Sequence, residues 1–255
     1  MNTWLYLTAE GQDAPSSLWP CVLWSPTHQR QSMPLNQAAS ALQGKSVDVL
    51  LPMEMCSWVR SEPWPARRKP EAQAIAFAVE DQLSEALEAV HLGVGARDPD
   101  GCYPVVVIGR ERLAAVLDLL RETGIEVRAV FVDADVLTGD QPCGTWWFGR
   151  WLLGGGVSAR MALSQNHLAL LAPLLPKDMN WLDEREGPTA IDQCLTRRPT
   201  RAINLLQGAF TPRGKRLPWR TGGWVLLMLA LLTWGAGETR IRFLDSEARR
   251  LATQK

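Results

Sequence analysis

The sequence predicts a mixed α/β fold of the α+β kind for residues 1–210, followed by one membrane-spanning helix. Three observations predict it. Between residues 1 and 132, short apolar runs alternate with stretches whose apolar residues recur every three or four positions, the signatures of strands and of amphipathic helices. Residues 54–132 order those runs as β α β β α β, the split arrangement that builds a small two-layer unit. Thr221–Gly237, read TGGWVLLMLALLTWGAG, holds no ionisable side chain between Arg220 and Glu238.

Taken in order, Trp4–Leu7 and Leu18–Trp24 are apolar runs separated by the turn-rich EGQDAPSS, and read as two strands. A short helix over Leu35–Leu42 leads into Val47–Leu51, a continuous apolar strand stopped by Pro52, so residues 1–53 read β β α β. Glu54–Arg60 alternates as a strand, and EPWPARRKP is a proline-broken connection. Glu71–Val90 is the clearest helical stretch: Pro70 suits its start, and Ile75, Val79, Leu83, Leu87 and Val90 recur at helical spacing. Its other face carries Glu80, Asp81, Glu85 and Glu88, read either as a solvated face or as a protein-docking surface. His91–Val94 and Tyr103–Ile108 form a strand pair around ARDPDG, Glu111–Glu122 is a second amphipathic helix ended by Gly124, and Ile125–Val132 is a strand.

Residues 133–210 read as the β-rich remainder of the soluble part. Trp146–Leu153 and Ser158–Ser164 look like a hairpin joined through Gly154, Gly155 and Gly156; His167–Leu175 is an apolar helix or strand; the chain is then polar until the ordered RAINLLQGAF of Arg201–Phe210. Residues 211–220 form a basic linker, 221–237 the span, and 238–255 a tail beyond it.

A helix of the span's length covers roughly 25 Å against a hydrocarbon core of about 30 Å, the short end of what can cross. Trp219, Trp224 and Trp234 fall where interfacial aromatics anchor a helix, and the stem of Arg220 can lie along the apolar layer while its guanidinium reaches the headgroups. The alternative is a buried core helix; the run favours the membrane because it is hydrophobic on all faces rather than along one stripe. Arg213, Lys215, Arg216 and Arg220 outnumber Arg240 and Arg242 on the other side, a positive-inside bias, and MNTWLYLTAE lacks the basic and apolar regions of a signal peptide. Both place the N-terminal body in the cytoplasm. The short segment after the span implies either a tail or a chain cut from something longer.

Twenty-seven basic and twenty-seven acidic residues cancel, so nothing points to nucleic acid as a partner. The five cysteines, at 21, 56, 102, 143 and 194, form no CxxC pair and fit reduced thiols. Trp4, Trp19, Trp24, Trp58 and Trp64 are read as core residues. WLLGGGVS could cradle phosphate through backbone amides, yet GxxxxGK[ST] and GxGxxG are missing, and a hairpin turn is the better reading. His28, His91 and His167 lack metal-site spacing. The expectation is therefore no catalytic residue, no cofactor and no metal, hence no enzyme.

The helix AIAFAVEDQLSEALEAVHL, the strand VDVLLP, the block VVVIGRERLAAVLDLLRETGIEVRAVFVDADVL and, above all, INLLQGAF before a basic linker and a single span resemble the L protein of the type II secretion system, the GspL family. The resemblance covers nearly all of residues 1–242. It implies an actin-like (RNase H-like) cytoplasmic domain without nucleotide hydrolysis, held at the bacterial inner membrane by one span with the N-terminus cytoplasmic. It further implies recruitment of the secretion ATPase GspE, pairing with GspM, proximity to GspF, and a homodimer. Two rival readings are a nucleotide-binding actin-like switch and a type IV pilus inner-membrane platform protein. Family members continue into a small periplasmic domain, whereas this chain stops at Lys255.

Overall fold

The computed structural model describes residues 3–24, 30–65, 70–187, 191, 195 and 201–212. Met1–Thr211 forms one compact unit, and Pro212–Lys255 a second. The expected span 221–237, its anchors Trp219, Arg220, Trp224 and Trp234, the tail 238–255, the linker beyond Pro212, His28 and Cys194 lie outside the described residues. Among the described residues no helix is long and apolar enough to cross a membrane.

Three sheets build the first unit. Strands β1 (Trp4–Leu7), β2 (Pro20–Trp24), β3 (Arg30–Pro34), β4 (Ser46–Leu51) and β8 (Glu126–Val132) form a five-stranded sheet of order β3-β2-β1-β4-β8. β1, β4 and β8 run parallel, whereas β1–β2 and β2–β3 are antiparallel. α1 (Leu35–Ala41) joins β3 to β4. The apolar residues on both sides of β4, Val47, Val49, Leu50 and Leu51, follow from its place between two parallel neighbours, buried on both faces. Its one charge, Asp48, is fully buried and held by a bidentate Arg128 from β8, at 2.7 and 2.5 Å.

Strands β5 (Cys56–Arg60), β6 (Val90–Val94) and β7 (Pro104–Gly109) form a three-stranded antiparallel sheet of order β5-β7-β6, with α2 (Ala72–Val79) on it. Ile75 and Val79 of α2 pack with Val90, Val94, Tyr103, Val105 and Val107 as a satellite core. The next helix, α3 (Arg110–Glu122), points Leu113, Val116 and Leu120 into the main core, which also holds Trp4, Tyr6, Leu50 and Val130. The third sheet has order β11-β10-β9-β12, from β9 (Pro142–Trp147), β10 (Arg150–Gly155), β11 (Met161–Leu163) and β12 (Asn180–Asp183), with α4 (Gln165–Leu171) after β11.

The structure corrects the sequence reading at several points. The helix expected over 71–90 ends at Val79: Glu80–Gln82 tightens into a 3-10 turn, Leu83 is extended, and Val90 already pairs with Gly109 as a strand. Arg110 clamps the approach, donating to the carbonyls of Glu88 and Val90 at 3.0 and 3.1 Å. A strand partner thus overrides helical periodicity, which is ambiguous for short apolar runs. The last strand of the expected βαββαβ unit leaves it, since β8 pairs with β4 in the five-stranded sheet. Residue 54 lies in a 3-10 turn, Met53–Met55, ahead of β5.

Trp146–Leu153 is two strands, not one, because the chain reverses at Phe148 and Gly149, with φ of 47° and 78°. Positive φ at both central residues makes the two-residue turn that matches strand twist, here without the usual Asn-Gly signal. Of Ser158–Ser164, only Met161–Leu163 is a strand, paired with β10. Residues 165–171 settle as helix, followed by a 3-10 turn over Ala172–Leu174. β3 and β12 escaped the sequence reading because both are edge strands with exposed, unalternating side chains. Trp4, Trp19 and Trp24 are buried, and Trp58 and Trp64 half-buried.

Candidate functional site: a filled crevice and an exposed acidic segment

Parallel strands β1, β4 and β8 end side by side, and the carboxyl ends of such strands are where open α/β sheets usually receive ligands. Here Asp133 and its partners fill the centre of that place, beside a groove of about 720 Å³ lined by Asp135, Asp140, Gly155, Gly156 and Arg160. Asp133, the first residue after β8, is fully buried and accepts from the backbone amides of Met53 (3.0 Å) and Ala134 (2.7 Å) and from the guanidinium of Arg150. Arg150 opens β10 of the third sheet and also donates to the Tyr6 hydroxyl at 2.6 Å and to the Trp147 carbonyl at 3.1 Å. Glu54 lies 2.5 Å from its Nε. Burial pushes the Asp133 carboxyl up to about 7 against the pull of Arg150 and two amides, and pushes the Tyr6 phenol well above its ordinary value. Its anionic neighbours hold Arg150 charged despite burial. Both Asp133 oxygens and the terminal nitrogens of Arg150 are thus spent on groups of the same chain, while Arg150 Nε meets Glu54 as an ion pair without a hydrogen bond.

A second carboxylate, Asp135, lies two residues on. It accepts from the Ile203 amide at 2.6 Å and the Trp58 indole at 3.2 Å, with Arg160 4.0 Å away. Desolvation raises its pKa against those three partners.

The glycine run meets the same end of the molecule, and its amides are occupied. Gly155 N–H donates to the Leu137 carbonyl at 2.6 Å and Gly156 N–H to that of Gln141 at 3.0 Å. A Cβ at Gly155 would lie 2.0 Å from the Gln141 oxygen, and one at Gly156 2.3 Å from that of Asp140. These glycines let residues 134–141 pass close over β10, and the two amides are not free to hold a phosphate. Gly154 and Gly155 end β10, and the chain from Gly156 turns back into β11, in line with the hairpin reading.

The acidic residues singled out from the sequence do not share a helix face. Glu80 and Asp81 sit in the 3-10 turn after α2, and Glu85 and Glu88 in the connection running to β6; all four are exposed. Phe77, in the last turn of α2, is also exposed, at 58%. Glu85 also borders a groove of about 640 Å³ with Glu54, Cys56, Gly109, Glu111 and Arg112. His91 is buried on the Leu205 carbonyl at 2.7 Å, and His167 is exposed. Among the described residues no cluster of His, Cys, Asp or Glu could hold a metal ion. Cys21, Cys56 and Cys102 are free thiols.

Sequence reasoning missed Tyr6, Asp133 and Arg150. The available signal was two aspartates closing the apolar strand VFVDADVL, since a charge at the end of a buried strand demands a partner.

Comparison with known proteins bears on this arrangement. Protein L of the type II secretion system from Pseudomonas aeruginosa is 29% identical over 219 residues, covering 81% of this chain and 54% of that protein. Its counterpart from Klebsiella pneumoniae is 30% identical over 203 residues, covering 72% and 50%. The chain thus spans about half the length of the relatives it matches. Among solved structures, the cytoplasmic domain of EpsL, an inner membrane component of the type II secretion system of Vibrio cholerae, superposes with a TM-score of 0.64 at 20% identity, covering 82% of this chain and 98% of that one. The mixed α/β fold is therefore shared. The family model described as type II secretion system protein L runs from residue 9 to residue 213, and the chain belongs to that family.

Proposed function

We propose that this chain is an inner-membrane assembly-platform component of the type II secretion system. Its soluble unit, with the actin-like fold expected from the resemblance, recruits the cytoplasmic secretion ATPase GspE; its apolar run Thr221–Gly237 holds the unit at the membrane, where GspM is the partner. The match to the protein L family over residues 9–213 carries the reading. Two features support it. A crevice filled by Arg150 and Asp133 favours a docking role over catalysis. Within residues 54–132, Phe77 and the carboxylates Glu80, Asp81, Glu85 and Glu88 are all exposed, the chemistry that takes a basic, partly apolar partner segment.

The test is a pull-down of the secretion ATPase from the same organism by the detergent-solubilised chain. Reversing Glu85 and Glu88 to lysine is expected to weaken capture at least tenfold, on the order of 1.4 kcal/mol. Unchanged capture removes these carboxylates from the contact, and no capture by the unsubstituted chain removes the recruitment reading.

A further inference from the structure

Two sheet edges in this unit would expose backbone groups without cover. β8 ends the five-stranded sheet and β6 ends the three-stranded one. Uncovered edges invite pairing, and proteins cover them. Here one short segment covers both.

On the β8 side, the side-chain amide of Asn204 accepts from the Val130 N–H at 3.0 Å, and the Leu205 N–H donates to the Val130 carbonyl at 2.8 Å. On the β6 side, the Gln207 side chain accepts from the Val94 N–H at 3.2 Å and donates to the Val94 carbonyl at 3.1 Å, while the Leu205 carbonyl meets His91 at 2.7 Å. Two primary amides thus stand in for the backbone of a missing strand on each sheet. They are cross-tied: Gln207 Nε2 donates to the Asn204 carbonyl at 2.8 Å, and Leu206 N–H to Asn204 Oδ1 at 3.1 Å. The N-terminal end is pinned at Asp135, whose other oxygen takes the Trp58 indole of β5, so one buried carboxylate joins this segment to both sheets.

Packing agrees with the hydrogen bonds. Ile203, Leu205 and Leu206 are buried, and Phe210 lies edge-on to His91 at 4.8 Å. Gly93 leaves room for the segment, since a Cβ there would stand 2.9 Å from Leu205 Cδ2 and 3.0 Å from Ile203 Cγ2.

We infer that residues 203–210 are a strap that fixes the three-stranded sheet against the five-stranded sheet, so that displacing the chain near residue 212 is transmitted to β6 and to the acidic segment running into it. The sequence places the basic linker and the apolar run directly after the strap. A pull from that side therefore acts first on Gln207 and Leu205, then on β6. The coupling is a property of the soluble unit and holds whether or not the acidic segment contacts an ATPase.

Hydrogen exchange of the 255-residue chain in detergent tests it. Of the side-chain contacts to the two sheets, Asn204→Ala removes only the one to β8, together with the tie from Leu206 N–H inside the segment. It is expected to speed exchange at least tenfold at Val90–Val94 of β6 as well as at Val130, leaving Leu152 and Leu153 of β10 unchanged. Gln207→Ala, which among the two sheets removes contacts to β6 only and also cuts the tie to the Asn204 carbonyl, is expected to speed exchange at Val130, because coupling between two sites is reciprocal. Effects confined to each side's direct partners overturn the strap, as does equal acceleration in all three sheets. Should Asn204→Ala fail to fold, Gln207→Ala and the milder Asn204→Ser read the same coupling.

Discussion

Asp133 and Arg150 form a buried ion pair whose desolvation cost is several kcal/mol per ion and is offset only if the remaining donors and acceptors are satisfied. Two backbone amides serve Asp133, and the Tyr6 hydroxyl and the Trp147 carbonyl serve the terminal nitrogens of Arg150, while its Nε has the charge of Glu54 beside it but no hydrogen bond. The result is a junction: Tyr6 and Asp133 belong to the five-stranded sheet and its end, Arg150 to the third sheet, and Glu54 to the turn entering the three-stranded sheet. At the same scale, His91 makes stability depend on pH. Burial holds its imidazole below the ordinary range, helped by Arg110 and opposed by the Leu205 carbonyl. The unfolded chain takes up that proton near pH 6.5 and the folded chain only at lower pH. The unfolded state therefore binds more protons in that window, and stability is full above about pH 6.5 and falls as pH drops below it. Urea midpoints at about pH 7.5 and about pH 5.5 should fall further for the parent protein than for His91→Gln; equal falls would clear His91 of the effect. Asp133, whose raised pKa acts in the opposite sense, is common to both proteins and cancels in the difference.

Among elements, the glycine run and the acidic segment show how neighbours decide local structure. Gly155 combines a φ of 69° with an approach that a Cβ cannot share. Gly155→Ala should cost about 3 kcal/mol, left-handed strain plus overpacking, and lower Tm by roughly 6–12 °C. Gly44→Ala, with a φ of 75° but nothing within 4 Å, should cost only about 1–2 kcal/mol. Calorimetry giving equal losses would mean that the close approach of residues 134–141 contributes nothing. That the chain reverses after the glycine run was legible in the sequence, from three consecutive glycines between two apolar runs. Which carbonyls take its amides was not, because Leu137 and Gln141 arrive from a separate loop. Helical spacing through Leu83 and Leu87 was equally real, yet α2 stops at Val79, because a strand partner for Val90 at Gly109 can be seen only in three dimensions.

For the whole molecule, three sheets meet at one filled crevice, and the proposed role is to hold another machine rather than to react. If the run Thr221–Gly237 anchors the chain, the 255-residue protein should sediment with membranes and be released by detergent but not by high salt, whereas a chain ended at residue 212 should stay in the supernatant. Recovery of the full chain in the supernatant would end the anchor reading. The sequence by itself determined the family, through INLLQGAF and the strand and helix runs around it, the existence of most strands and helices, and the span as an expectation. Those features depend on residues close together in the chain: period, turn chemistry and unbroken hydrophobicity. Tertiary structure alone decided that β8 leaves its expected unit for β4, that Arg150 reaches Asp133, and that residues 203–210 close two sheet edges. Each joins groups far apart in sequence, where pairing follows from which backbone and charged groups would otherwise be buried without a partner.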